Sequence, residues 1–178
     1  MSRLTQREYA VLTMTAALSL PPIREGRPED VGALAEAFRQ MWLDNAVPER
    51  DIEPDYRERV AEFVADGQRS AGLRFFVAER GETLAGAACC QLFGGLYPAI
   101  LKSHVRRYGY IWGVYVAPAE RRVGLGRALT ETCIRSLEAC GCTHALLHAA
   151  PPGRGTYERL GFASTNEMRL TLGGPPRS

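Results

Sequence analysis

The sequence predicts an α/β protein with a mixed, mostly antiparallel sheet of six or seven strands and helices on both faces. Three observations lead there. Residues 73–79 and 83–93 are apolar runs joined by the tight turn Arg80-Gly81-Glu82, which reads as an antiparallel hairpin. Residues 108–117 and 143–148 are two further runs separated by one amphipathic helix, and a strand–helix–strand link favours a parallel pair. Two amphipathic stretches precede the hairpin and supply helices for another face.

The elements follow in order. Ile23-Arg24-Glu25 reads as a short first strand. Pro28-Glu29-Asp30 carries helix-start chemistry, with a proline early and acids in the first turn. Val31, Leu34, Ala35, Phe38, Met41 and Trp42 then form one apolar stripe. A second helix begins after Pro54, with Tyr56, Val60, Phe63 and Val64 on one face and Gly67 near its end. Small residues at 85–90 let a helix pack closely on the second hairpin strand. Residues 94–107 are a loop long enough to serve a function.

Residues 108–117 form the strongest strand. Simple alternation puts Tyr110, Trp112, Val114 and Val116 on one face and Ile111, Gly113 and Tyr115 on the other. Large residues on both sides mark a strand covered on both faces. The helix over 124–139 has Leu125, Ala128, Leu129, Thr132, Cys133, Ser136, Leu137 and Cys140 as its inner stripe, with Gly141 as its cap. A short helix follows at 152–160, Phe162 opens a last hairpin arm, and residues 167–172 close the sheet.

A chain of 178 residues is expected to form one domain over 21–173, preceded by an extension at 1–20 and followed by a tail at 174–178. Net charge is +2, from 22 basic and 20 acidic residues, which gives no support to nucleic-acid binding. The basic residues are nearly all Arg, suited to planar recognition of anions. Five cysteines occur with no C-x-x-C pair, so no metal spacing is present and reduced thiols in a cytoplasmic protein are expected. No apolar run is long enough to span a membrane, so no membrane partner is expected. The mildly apolar run at 10–20 is interrupted by Thr and Ser and ends at Pro21-Pro22.

Chemistry concentrates at Arg121-Arg122-Val123-Gly124-Leu125-Gly126-Arg127, between the strongest strand and a helix. Gly124 and Gly126 let backbone N–H groups approach an anion, the helix start adds partial positive charge, and the arginines add charge-assisted bonds. A diphosphate is the natural guest. The G-x-x-x-x-G-K-[ST] loop is missing, and the third glycine of a G-x-G-x-x-G fingerprint is replaced by Leu129, so ATP and NAD readings are weak.

The run V-x-P-x-x-R-R-x-G-x-G-R-A-L at 116–129, coupled to Y-E-R-L-G-F at 157–162, resembles the acetyl-CoA-binding signature of the GNAT superfamily of N-acetyltransferases. The resemblance covers roughly residues 23–172 and includes the element order. It implies direct transfer of acetyl from acetyl-CoA to a primary amine, with a small-molecule acceptor favoured. It implies that the backbone of Val114, Tyr115 and Val116 pairs with the pantetheine arm. It implies that the turn N–H groups of Arg121, Arg122, Val123, Gly124, Leu125, Gly126 and Arg127 hold the pyrophosphate. The Val116 N–H would stabilise the developing oxyanion. Tyr157 would border the cofactor and protonate the departing thiolate; the plainer alternative is a ring that only caps the groove. Many members carry Asn seven positions before that Tyr, and this chain has Ala150 there.

The base is open between His148, His104 and a water chain. An imidazole suits proton removal from an ammonium, and His148 is the first candidate. Some relatives carry Glu at the position of Tyr110, which is a poor base alone. Trp42, Asp44 and Tyr97 are candidate acceptor-lining residues. A non-catalytic acyl-CoA-binding sensor is the alternative reading. Monomer and homodimer both fit.

Overall fold

Small side chains in the middle of the hairpin set the layering of the fold. In a computed structural model, residues 19–95 and 98–168 are described. Tyr97 and positions 169–172 of the expected closing strand lie outside them. The chain forms two compact units, Met1–His148 and Ala149–Ser178.

The first unit holds β1 (Ile23–Glu25), α1 (Val31–Asp44), α2 (Tyr56–Ser70), β2 (Arg74–Arg80), β3 (Thr83–Phe93), β4 (Tyr108–Val116), α3 (Leu125–Ala139) and β5 (His144–Leu146). Among the described residues the sheet has five strands in the order β1-β2-β3-β4-β5, not six or seven. The first four are antiparallel neighbours, and β4 and β5 run parallel as the intervening helix requires. The second unit holds α4 (Arg154–Glu158), shorter than the helix expected at 152–160. Residues 162–165 form no strand, so the last hairpin arm expected at Phe162 is not found there.

Residues 85–90 of β3 are all buried, because both faces of this strand are covered. Ala87 and Cys89 face Leu34 and Phe38 of α1 and Val64 of α2. The opposite face meets α3, where a Cβ on Gly86 would lie 3.0 Å from Leu129. Leu125, Leu129 and Leu137 of α3 are at most 3% exposed. Burial of each contributes about 1.5–3 kcal/mol. Thr130 is also buried, outside the predicted stripe, and its hydroxyl is satisfied by donating to the Gly126 carbonyl at 2.8 Å. Trp42 and Phe63, both expected inside, are 52% and 54% exposed. The α1 stripe turns away from the sheet before Trp42.

β1 is too short to hold itself by its ladder. Arg24 fixes it by a two-pronged bond to Asp30 at 2.6 and 2.9 Å and a second bond to Glu79 of β2 at 2.8 Å. The Arg24 guanidinium holds the buried Asp30 carboxyl below the usual carboxylate range.

β4 departs from simple alternation. Cys89 pairs with Trp112, but Ala87 pairs with Tyr115, so two β4 residues oppose Ala88 alone. The bulge begins at Gly113, which has φ +62°. A side chain there would meet the Phe38 ring at 2.3 Å. Alternation therefore changes phase, and Tyr115 joins Tyr110 and Trp112 on the α1/α2 face. Val116 joins Ile111 on the α3 face, opposite Gly86. The sequence expectation that Val114 and Val116 continue the Trp112 face is corrected by this one inserted residue.

Gly113→Ala should lower stability by about 2–4 kcal/mol, from left-handed strain and overpacking together. Thermal and urea melts measure this. Adding Phe38→Leu should recover only the packing part. Parent-like stability of the Gly113→Ala protein would mean that glycine does not impose the bulge.

Candidate active site

The turn after β4 ends in a helix start without a side-chain cap. The chain leaves β4 through a short turn at Pro118–Glu120 and reaches α3 through two left-handed residues, Arg122 at φ +70° and Gly124 at φ +93°. A left-handed arginine carries strain of about 1–2 kcal/mol, whereas glycine adopts the same backbone freely. Gly124 has no side chain to cap the helix, and its carbonyl accepts the first helical bond, from the Ala128 N–H at 3.1 Å. The N–H groups of Leu125, Gly126 and Arg127 thus have no acceptor inside the helix. No acid lies in the first helical turn. Glu120, just upstream, is engaged by Arg80 at 2.7 and 2.9 Å. These features make a cradle of backbone N–H groups suited to an anion.

Arg121 is held. Its Nε donates to the Val116 carbonyl at 3.0 Å, and its terminal nitrogen is paired with the Asp44 carboxylate at the end of α1. Gln40, then Arg121, hold the Asp44 carboxyl below its usual range, so it stays ionised as pH falls through the ordinary carboxylate range. Asp44, expected to line the acceptor site, thus has its charge matched by Arg121. Arg127 bonds Glu131 at 2.9 Å one helical turn on, and Arg122 and Val123 are exposed.

Beside the cradle lies an open strand edge. β5 pairs with β4 only at Tyr108, Gly109 and Tyr110. Among the described residues, positions 111–116 of β4 have no strand partner on that side. The Ala117 N–H donates to the Ala85 carbonyl at 2.9 Å, toward β3. Alternation turns the N–H and carbonyl of Val116 the other way, toward the open edge, and Tyr115 back toward β3. The Arg121 bond to the Val116 carbonyl agrees with that direction. Val114 sits in the bulge itself. Burial pushes the Tyr115 phenol up, which keeps it neutral.

Where the β4–β5 pairing stops, two predicted residues meet. Tyr110 pairs with Leu146, the last β5 residue, and His148 lies two positions on, on the same face. The Tyr110 hydroxyl is hydrogen-bonded to His148 Nδ1, with the rings 5.7 Å apart. Tyr110 is half-buried, and its ring lies 5.4 Å from Phe93. Trp112 follows on this face, 5.3 Å from both Phe38 and Phe63. His104 is exposed in the loop before β4. In the second unit Tyr157 is half-buried in α4, with its ring 6.0 Å from Phe162.

Sequence reasoning missed the bulge, the Arg121–Asp44 pair and the Tyr110–His148 bond. A lone glycine inside a strong strand was the available signal for the first. The other two join residues far apart in sequence, and no local pattern marks them.

Among the described residues, no helix is long and apolar enough to cross a membrane. A family model described as "Acetyltransferase (GNAT) family" matches residues 34–162. A chloroplastic serotonin N-acetyltransferase 2 from Oryza sativa subsp. japonica is 30% identical over 134 residues, 75% of this chain and 56% of that protein. A mycothiol acetyltransferase from Streptomyces scabiei is 31% identical over 138 residues, 75% of this chain and 38% of that protein. The chain thus spans about half or less of the length of these two curated relatives. The crystal structure of a predicted acetyltransferase with acetyl-CoA from Clostridium acetobutylicum shares the fold, with a TM-score of 0.72 at 19% identity. That match covers 85% of this chain and 96% of the other.

Asp44→Asn removes the partner that matches Arg121 beside the helix start. It should tighten binding of inorganic pyrophosphate a few-fold and steepen its salt dependence, because one more cation faces the anion. Calorimetry at two ionic strengths checks this. An unchanged Kd at both would mean that Asp44 does not restrain the charge of the cradle.

Proposed function

This chain belongs to the acetyltransferase (GNAT) family, and from that premise we propose that it transfers acetyl from acetyl-CoA to a small primary amine. The observation that carries the proposal is the uncapped, acid-free start of α3 beside the open edge of β4. Those two features fit the two halves of the donor, a diphosphate and an amide-bearing arm. Bound acetyl-CoA supplies an activated acetyl thioester.

The N–H groups of Leu125, Gly126 and Arg127, with those of Arg121, Arg122, Val123 and Gly124, hold the pyrophosphate. Val114 and Val116 offer backbone to the pantetheine arm in the manner of strand addition, whereas Tyr115, also expected to do so, has its N–H and carbonyl turned back toward β3. The Val116 N–H faces the open edge and polarises the thioester carbonyl, stabilising negative charge as it develops there. His148 accepts the proton that an ammonium acceptor must lose before attack. Tyr157 gives a proton to the leaving sulfur. Holding donor and acceptor together supplies much of the rate enhancement, and no covalent enzyme intermediate is needed.

Serotonin and mycothiol acetyltransferases among the relatives favour a small-molecule acceptor. The half-exposed rings of Phe93 and Phe63 border the Tyr110–Trp112 face and suit an acceptor with an apolar body. With Asp44 matched to Arg121, that body contributes more to recognition than a second positive charge does.

Acetyl-CoA at about 100 times its Kd should add roughly 2.7 kcal/mol to stability. For a chain of this size the melting midpoint should rise by about 5–10 °C. NAD and ATP serve as controls and should leave it unchanged. A rise with NAD alone overturns the assignment.

Tyr157→Phe should lower kcat by about 10²-fold or more while acetyl-CoA affinity is retained. Kinetics across an amine panel, with calorimetry for the donor, separate the two. Equal kcat in parent and variant would leave Tyr157 as a wall of the groove.

A further inference from the structure

We propose that Tyr110 and His148 form a proton relay at the point where β4 and β5 separate, with the Tyr110 oxygen as the atom that touches the acceptor amine. This rests on the transferase reading above. Three observations carry it. The Tyr110 hydroxyl is hydrogen-bonded to His148 Nδ1. Tyr110 and Leu146 are the last paired residues of the parallel ladder, so the two rings stand where the open edge begins. Tyr110 is half-buried against Phe93, whereas His148 is exposed. One member of the pair is positioned by packing, and the other reaches water.

The proton balance follows. An acceptor ammonium gives one N–H proton to the Tyr110 oxygen while the Tyr110 O–H proton passes to His148 Nδ1. No bond to carbon changes in this step; the amine gains a free lone pair, and the imidazole becomes an imidazolium. His148, being exposed, returns one proton to water. That is the one net proton released when an ammonium becomes an amide and a thioester becomes a thiol. A phenol alone is a poor base at neutral pH, with an ordinary pKa of about 10. Coupling it to an imidazole avoids a phenolate, because the phenol is never left without a proton.

Two pairs back along the ladder from Tyr110, the rings of Tyr108 and His144 lie 5.0 Å apart, and Arg106 stands 4.7 Å over Tyr108. From β3, Gln91 faces Tyr110, and next to it Cys89 faces Trp112; burial pushes the Cys89 thiol up, so it carries no charge. From α2 the group that reaches this face is the Phe63 ring, against Trp112.

The test uses the full chain with Tyr110→Phe, His148→Gln and the double variant, each with its melting midpoint recorded. At pH 7, each single change should lower kcat/KM for an alkylamine by about 10²-fold. The double change should cost no more than either single one, because both break the same relay. The acid limb of the parent's pH profile should vanish in His148→Gln. With an acceptor already neutral at the assay pH, such as an aryl hydrazine, the losses should shrink to a few-fold, because no ammonium has to be deprotonated. Losses that multiply, or that are as large with the neutral acceptor as with the alkylamine, overturn the relay. A readout independent of turnover is the nitrogen-15 spectrum of the His148 ring. Tyr110→Phe should change its tautomer balance, and an unchanged spectrum overturns the pairing. A parent that binds acetyl-CoA yet acetylates no amine overturns the transferase reading instead, while the ring spectrum still decides the hydrogen bond.

Discussion

The left-handed backbone of Gly113 against the Phe38 ring is the constraint on which the arrangement of β4 depends. Up to Trp112 the strand is phased by two neighbours, β3 and, at its start, β5. One inserted residue then shifts the phase. Tyr115 is carried onto the roomy α1/α2 face instead of against the close-packed leucines of α3. Val116 is carried opposite Gly86, with its peptide groups toward the open edge. A straight strand would place a phenol where Leu125 and Leu129 lie, and the helix would have to lift from the sheet. The bulge thus lets one strand serve a tight helix on one face and an aromatic surface on the other.

How much of this could be read in advance differs from element to element. The β3 bounds at Thr83 and Phe93 agree with the sequence reading, because a run of Ala, Gly and Cys between turn residues leaves little alternative. The α3 stripe was legible because Leu125, Leu129, Cys133 and Leu137 recur at helical spacing. Periodicity reports which side of a helix is apolar, but not how far its neighbour extends. Trp42 and Phe63 illustrate this: both lie in register with their stripes, and both run past the region the sheet can cover. The glycine-bearing turn and the start of α3 were legible from glycine and arginine spacing. The Tyr110–His148 bond was not, because it depends on the parallel register of two strands joined through a helix.

Arginine takes two roles in this chain. Arg24, Arg74 and Arg80 are engaged in forked bonds to carboxylates of neighbouring strands or turns. The exposed pair among them, Arg74–Glu25, contributes about 1 kcal/mol or less, so its main effect is to fix geometry. Arg24 acts where the ladder of β1 is too short to do so. Arg121 belongs partly to the same group. Its bonds to Asp44 and to the Val116 carbonyl tie the end of α1 to the end of β4. A cation tethered in this way keeps its field near the helix start without the freedom of an unpaired side chain.

On the proposed reading, the acid–base groups differ in exposure because their tasks differ. A group that delivers a proton to a leaving sulfur needs only a phenol at the right place. A group that removes a proton from an ammonium must also dispose of it, since that proton is the net product of the reaction. Half-buried Tyr110 gives placement but has no good means of holding an extra proton. Exposed His148 reaches water, where a proton can be released. The hydrogen bond between them joins the two properties, and the end of the parallel ladder is where the fold allows a half-buried ring and a solvated one to meet.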